Sequence, residues 1–286
     1  MKDNIRKYYD EHAEEEWTRL TLDAYHRLEF LVTTYYLDKY LPKGGLVLDA
    51  GGGPGRYTIL LAEKGYDIVL LDLSPRSLEV AKREIRKKGV EDHVRKVVEG
   101  SVVSLPEFGN ELFDAVLCLG PLSHIIDRPE RERAARELVR VAKRDAPIFV
   151  QVFSRYGVFR AFLQISQDEM FDPSHEELFN HGIHRGHPTP HRGGKGFSAV
   201  DAYFFLPTEV KDLFEGIGVR TLELASCEGL SSRLQEATNK LHEDKEKWNQ
   251  WLRLILQTCN DPAILGMSDH ILYIGRKKGE ESDAED

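Results

Sequence analysis

The sequence predicts an α/β domain, a mostly parallel sheet wound twice so that helices cover both faces. Three observations carry that prediction. From Leu46 onward, short apolar runs alternate with charged stretches of helical period. The stretches between the runs hold good helix formers and end at glycine or just before the next run, as SPRSLEVAKREIRKKG does. A bare turn, AGGGPG, follows the first run directly, at what would be the carboxyl edge of the first strand.

Composition frames the reading. The chain has 286 residues, 41% hydrophobic and 30% charged, which suits a domain with a substantial core and one added subdomain. No window holds the roughly 18 uncharged apolar residues of a membrane span. The charged start MKDNIRKYYDEHAEEEW is unlike a signal peptide, so a cytoplasmic protein without membrane partners is expected. Cys118, Cys227 and Cys259 lie far apart with no CxxC pair, which predicts neither a disulfide framework nor a zinc knuckle. The net charge is −9, and five of those charges sit in the tail GEESDAED; nothing here invites nucleic acid.

Taken in order, residues 1–45 predict a helical cap: KYYDEHAEEEWTRL and LDAYHRLEFLVTTYYLDKYL repeat apolar residues at three- and four-residue spacing. Residues 46–153 predict the core, with strands in LVLDA, DIVLLDL, VRKVVEG, FDAVLCL and APIFVQVF. Helices are expected in YTILLAEKG, SPRSLEVAKREIRKKG and RPERERAARELVRVAK. Residues 154–205 break the alternation with an amphipathic helix around Tyr156 to Gln167 and then NHGIHRGHPTPHRGGKG. An interruption of that length reads as a lid or substrate-binding insertion. Residues 206–278 complete the core with the helix LPTEVKDLFEGIG and strands VRTLELAS and DHILYIGRKK, separated by a helical insertion at about 226–267. Residues 279–286 are an acidic tail expected to be disordered.

The register of the glycines narrows the ligand. A dinucleotide loop needs G-x-G-x-x-G, and none fits: counting from Gly51 the last position is Arg56, and from Gly53 it is Thr58. From Gly52 the second position is Pro54. The phosphate-loop lysine followed by Ser or Thr is absent too, which disfavours a nucleoside triphosphate. What stands is D-x-G-x-G-x-G, Asp49, Gly51, Gly53 and Gly55.

That pattern resembles motif I of the class I S-adenosylmethionine-dependent methyltransferases, and the resemblance continues in order along the chain. It implies a seven-stranded Rossmann-like sheet with a lid subdomain formed by insertions, and S-adenosyl-L-methionine as cofactor. Asp72, closing the second strand about twenty residues beyond the first glycine, is placed to accept the ribose hydroxyls, with Leu73 beside it. EGSVVSLPEF places Ser101 and Val102 along the adenine. Many relatives have an aspartate where Ser101 stands, so that contact is expected to be weaker than a charge-assisted one. In FDAVLCLGPLSHI the backbone from Leu119 to Leu122 would pass the methionine part. Asp49 would shape the loop and face the same end, and the N-terminal helix would fold Tyr8 or Tyr9 over the cofactor.

Methyl transfer from a sulfonium is an in-line displacement that depends chiefly on holding a nucleophile about 3 to 3.5 Å from the methyl carbon, away from water. A base is useful only where the acceptor must lose a proton, and His124 is the candidate; a local hydrogen bond is its alternative role. His175, His181, His184, His187 and His191 are interleaved with Gly182, Gly186, Pro188 and Pro190, which prevent a helix from aligning them, so no metal site is expected. They read as part of a lid or a solvated loop. Asp201 and Tyr203 are placed near the pocket mouth by layout alone. Enzymes of this family that methylate amino groups of nucleic-acid bases carry Asn or Asp, two prolines and an aromatic where this chain has Gly120, Pro121, Leu122 and Ser123. A small-molecule acceptor, in the quinone-biosynthesis-like branch, is therefore expected. A cofactor-binding protein without turnover and, less favoured because of Arg56, a nicotinamide-dependent oxidoreductase are the alternatives.

Overall fold

The computed structural model describes residues 2–165, 167, 173–186 and 200–279. The five core strands are β1 (Leu46–Ala50), β2 (Asp67–Asp72), β3 (Val94–Glu99), β4 (Ala115–Leu119) and β5 (Pro147–Phe153). The two-residue strands β6 (Ile183–His184) and β7 (Ala202–Tyr203) pair only with each other, and β8 (Val219–Ser226) and β9 (His270–Lys277) close the main sheet. Its order is β3-β2-β1-β4-β5-β9-β8. The first five strands are parallel and β9 runs antiparallel to both its neighbours. Seven strands in this order give the α/β sheet that the alternation predicts.

Alternate residues along each strand feed opposite faces, as a period of two requires. Val47, Leu117 and Phe149 belong to one core; Leu48, Val116 and Ile148 belong to the other. The first face is covered by α3 (Ala24–Tyr40), α4 (Arg56–Glu63) and α5 (Pro75–Lys88), the second by α6 (Arg128–Val141) and, further along the chain, by the helix Pro207–Glu215. Both faces being covered, β1, β4 and β5 read as continuous apolar runs. The edge strand β3 instead exposes Arg95 and Lys96.

The first helical stretch is broken: α1 (Lys2–Glu11) stops before His12, and α2 (Ala13–Arg19) follows. Asp23 then caps α3 by accepting from the His26 amide. In the insertion after β5, α7 (Arg155–Ile165), α8 (Glu176–His181) and the β6–β7 ladder share a small core of Val158, Leu178, Ala202 and Phe204. It is tied to the main body by buried Arg155, which places two 2.8 Å contacts on Glu209 in α9 (Pro207–Glu215). His187, His191 and the tail from residue 280 lie outside the described residues. The insertion between β8 and β9 forms α10 (Gln235–His242), α11 (Lys245–Thr258) and the short α12 (Pro262–Leu265). Among the described residues no helix is long and apolar enough to cross a membrane.

Candidate active site

Strand order reverses between β1 and β4, and a cavity of about 510 Å³ opens there at the carboxyl edge of the sheet. The chain leaving β1 turns under it. The amides of Gly51 and Gly52 donate to the Leu71 carbonyl, at 2.6 and 3.2 Å. Gly51 has φ +76, and any side chain there would run into the Pro121 ring. Gly53 has φ +54 and nothing within 4 Å of where a Cβ would lie, so bare backbone faces the cavity. Gly55 is different. It does not line the cavity; its left-handed backbone starts α4, and a Cβ there would sit 3.2 Å from that of Ala81. Its glycine serves helix packing.

Asp49 and Asp72 both line the cavity. Asp49 is buried and accepts from the Thr58 hydroxyl at 2.7 Å; burial, with Asp72 adding repulsion, pushes its carboxyl up to about 6. Asp72 accepts from the Gly53 amide on one oxygen and the Ser74 amide on the other, both at 2.8 Å. Burial still raises it to about 6. One donor per oxygen leaves each able to accept again. Ser74, rather than Asp72, caps α5. Leu73, Ser101, Val102 and Leu119 line the same cavity. The Ser101 hydroxyl oxygen is 3.4 Å from the Val103 amide, a weak local contact.

Helix α1 lies across the opening and brings in Tyr8 and Tyr9. It is pinned by Ser74 donating to Asp10 at 2.6 Å and by Arg6 on Glu99 at 3.1 Å. The Tyr9 hydroxyl is 2.6 Å from His124 Nε2, and His124 Nδ1 is 3.3 Å from the Asp201 carbonyl. A carbonyl can only accept, so Nδ1 carries the proton and Nε2 receives the Tyr9 O–H. Burial pushes the His124 imidazole down to about 4 and the Tyr9 phenol well up, so both are neutral near pH 7. Residues read separately as a cover and a base are one hydrogen-bonded pair.

The other lobe is built from residues that sequence reasoning passed over. Arg19 clasps Glu29 at 2.5 and 3.0 Å and reaches Glu16 at 3.1 Å. Burial opposes charge on Glu29, but Arg19 and His270 together hold its carboxyl at about 2. His270 Nδ1 lies 2.7 Å from Glu228 and 3.6 Å from Glu29. Burial disfavours its charge, yet the two carboxylates raise the imidazole to about 9. Glu228 also accepts from the Ser268 hydroxyl at 2.5 Å and from the amides of Asp269 and His270 at 3.1 Å each. Ligand atoms of Glu29, Glu228 and His270 lie within 4.8 Å of one another, but Arg19 and the imidazolium already supply the positive charge a cation would bring. Two of these positions had a signal. Because β9 is antiparallel, its first residue, His270, meets the sheet edge where β8 ends two residues before Glu228. Arg19 and Glu29 had none.

Tyr203 does not line the cavity; Arg131 stacks on its ring at 3.5 Å. Asp201 does not line it either, its carboxylate accepting from Gly186 at 2.9 Å while only its carbonyl reaches His124. His175 and His184 stack on each other at 5.9 Å, buried and away from the cavity.

Residues 47–145 match the family model of the methyltransferase domain, the segment that holds the glycine turn, Asp72 and the end of β4. Over that segment the chain is similar to a methyltransferase domain. The chain is 32% identical over 108 residues to a ubiquinone biosynthesis O-methyltransferase of Methylocella silvestris, covering 36% of this chain and 40% of that one. It is 41% identical over 63 residues to the tRNA 5-carboxymethoxyuridine methyltransferase of Escherichia coli, covering 21% and 24%. It thus spans less than half the length of either relative. Among solved structures it resembles an S-adenosylmethionine-dependent methyltransferase of Methanosarcina mazei, with a TM-score of 0.60 at 19% identity over 86% of this chain and 98% of that one. That likeness is one of fold.

Proposed function

We propose that this methyltransferase methylates a nucleophilic oxygen or nitrogen of a small molecule, chiefly by positioning and with proton removal by the Tyr9–His124 pair. The observation that carries the reading is the single cavity lined by Asp72, by the glycine turn, by Tyr9 and His124 and by the charged wall around His270. Its first part suits the cofactor. Asp72 keeps acceptor capacity for a ribose diol, Ser101 and Val102 offer a slot for adenine, and bare Gly53 with Leu119 leaves room for the methionine part. Tyr8 and Tyr9 on α1 close over it. When bound, S-adenosylmethionine supplies an electrophilic methyl group on a sulfonium whose departure leaves a neutral thioether.

The chain's own residues then handle one proton. As the acceptor atom gains the methyl carbon its O–H or N–H becomes strongly acidic. The Tyr9 oxygen takes that proton while its own passes to His124 Nε2, 2.6 Å away. A strong base is unnecessary, so a histidine titrating near 4 suffices. Burial of the pair keeps water from competing.

The tRNA-modifying relative shares only 63 residues with this chain, and the acidic charge of −9 supports a small acceptor over a polyanion. Turnover tests the reading. Incubation with S-adenosylmethionine and a panel of phenols, hydroxy acids and amines is expected to release S-adenosylhomocysteine with at least one of them. Cofactor binding without release on any acceptor would favour a regulator that has lost transfer.

A further inference from the structure

The proposed reaction does not use the cavity wall formed by Arg233, Asp269 and His270. Asp269 immediately precedes β9 and His270 begins it, while Arg233 lies two residues before α10. Arg233 holds φ at +63, a left-handed backbone that a non-glycine residue adopts only under constraint. The constraint is a ring of contacts. The Arg233 amide donates to the Tyr25 hydroxyl at 3.0 Å, Tyr25 donates to Asp269 at 2.6 Å, and Asp269 lies 2.7 Å from Arg233 Nε. His270 is braced in the same way by Glu228 at 2.7 Å. Both side chains nevertheless keep 18% exposure, on the cavity.

Unspent hydrogen-bonding capacity decides what fits there. Glu29 accepts twice from Arg19; Glu228 accepts from His270, Ser268 and two backbone amides; Asp269 accepts from Tyr25 and pairs with Arg233. Each carboxylate thus faces a cation of the chain's own, although Asp269 Oδ1 meets Arg233 Nε as an ion pair without a hydrogen bond. The donors keep capacity: among the described residues neither His270 Nε2 nor the terminal guanidinium nitrogens of Arg233 have a partner. A cationic ligand would meet carboxylates already matched by the chain's own cations, whereas an oxygen anion would meet two braced cations whose free N–H groups match it. The Phe153 ring, which lines the cavity, is steeply inclined to both His124 and His270, with ring centroids 5.4 and 5.6 Å away, so an apolar aromatic ring lies between them and favours a flat apolar ligand body.

Resting on the methyl-transfer reading, we propose that the acceptor is a carboxylic acid with a flat apolar body, its carboxylate held by Arg233 and His270 and its nucleophile at the Tyr9–His124 pair. Three matched probes test this by calorimetry, on the apo protein and on protein saturated with S-adenosylhomocysteine: 4-hydroxyphenylacetate, its neutral amide, and tyramine. The acid is expected to bind at least tenfold tighter than the amide, with tyramine weakest. Arg233→Gln, which keeps the same backbone strain, is expected to abolish the preference for the acid while leaving amide affinity and melting temperature near wild type; His270→Gln is expected to abolish it too, with a lower melting temperature because Glu29 and Glu228 lose their cation. Arg233→Lys is expected to retain part of it, and carries the test if Arg233→Gln folds poorly. Equal binding of acid and amide, tightest binding of tyramine, no binding of the acid, or an undiminished preference in folded Arg233→Gln would each overturn the proposal. Because the preference is also read in the apo protein, failure to bind S-adenosylhomocysteine is a separate result that removes the cofactor reading instead.

Discussion

Arg56 and Thr58 occupy the positions where a dinucleotide loop would need glycine, and the structure gives each side chain a task. The Arg56 guanidinium lies 3.7 Å over the Trp17 ring and donates to the Trp17 carbonyl, tying the start of α4 to α2. The Thr58 hydroxyl serves buried Asp49. Replacing Thr58 by valine removes that donor without changing shape, so a loss of ~1–3 kcal/mol is expected in chemical denaturation. At Tyr9, phenylalanine keeps the ring over the cavity and removes the proton path. Its kcat is expected to fall about a hundredfold with affinity for S-adenosylhomocysteine changed less than threefold, since general catalysis is worth roughly 10²–10⁴. The wild-type kcat profile is expected to show no inflection from His124 between pH 5.5 and 9, because that imidazole titrates near 4. An unaffected kcat in Tyr9→Phe would remove the pair from the mechanism. Asp49, Gly51, Gly53 and Asp72 were legible residue by residue because backbone conformation and charge demand those types there. Gly55 looked the same on the page, but only packing against Ala81 reveals its different task.

At the scale of elements, strands β1, β2, β4 and β5 announce themselves as apolar runs, and Ser74, Pro75 and Gly89 mark both ends of α5. What periodicity could not supply was placement. Nothing in KYYDEHAEEEW says that α1 lies over the sheet edge, because Asp10 finds Ser74 and Arg6 finds Glu99 only after the chain has folded back. The same holds for Arg19 and Glu29, ten residues apart and joined across two helices. Pinned at its edges by hydrogen bonds and exposed ion pairs, α1 is held more weakly than the core strands. Hydrogen exchange is therefore expected to show α1 amides slowing at least tenfold on addition of S-adenosylhomocysteine, with little change in β5. Unchanged exchange in α1 would mean that it does not cover the cofactor.

For the whole molecule, the buried charges around His270 couple folding to pH. His270 titrates near 9 when folded, against about 6.5 in an unfolded chain, because Glu29 and Glu228 favour its charge more than burial opposes it. Folding therefore takes up a proton between these values. The stabilisation, up to about 3 kcal/mol, is complete below pH 6.5 and is lost as pH rises through 9. Melting temperature is accordingly expected to fall between pH 6.5 and 9.5 in the wild type and to be flatter in His270→Gln; parallel curves would show that this imidazole is not charged in the fold.

The central claim is that the cavity between β1 and β4 holds the cofactor through Asp72. Calorimetric titration of S-adenosylhomocysteine measures it directly, on wild type and on Asp72→Ala, from pH 5 to 8. Since the ribose diol is matched by the ionised carboxylate, which titrates near 6, wild-type affinity is expected to be level above pH 7 and to weaken below 6. Asp72→Ala is expected to bind at least tenfold more weakly and without that pH dependence. No binding by the wild type, or equal affinity in both proteins, would contradict it.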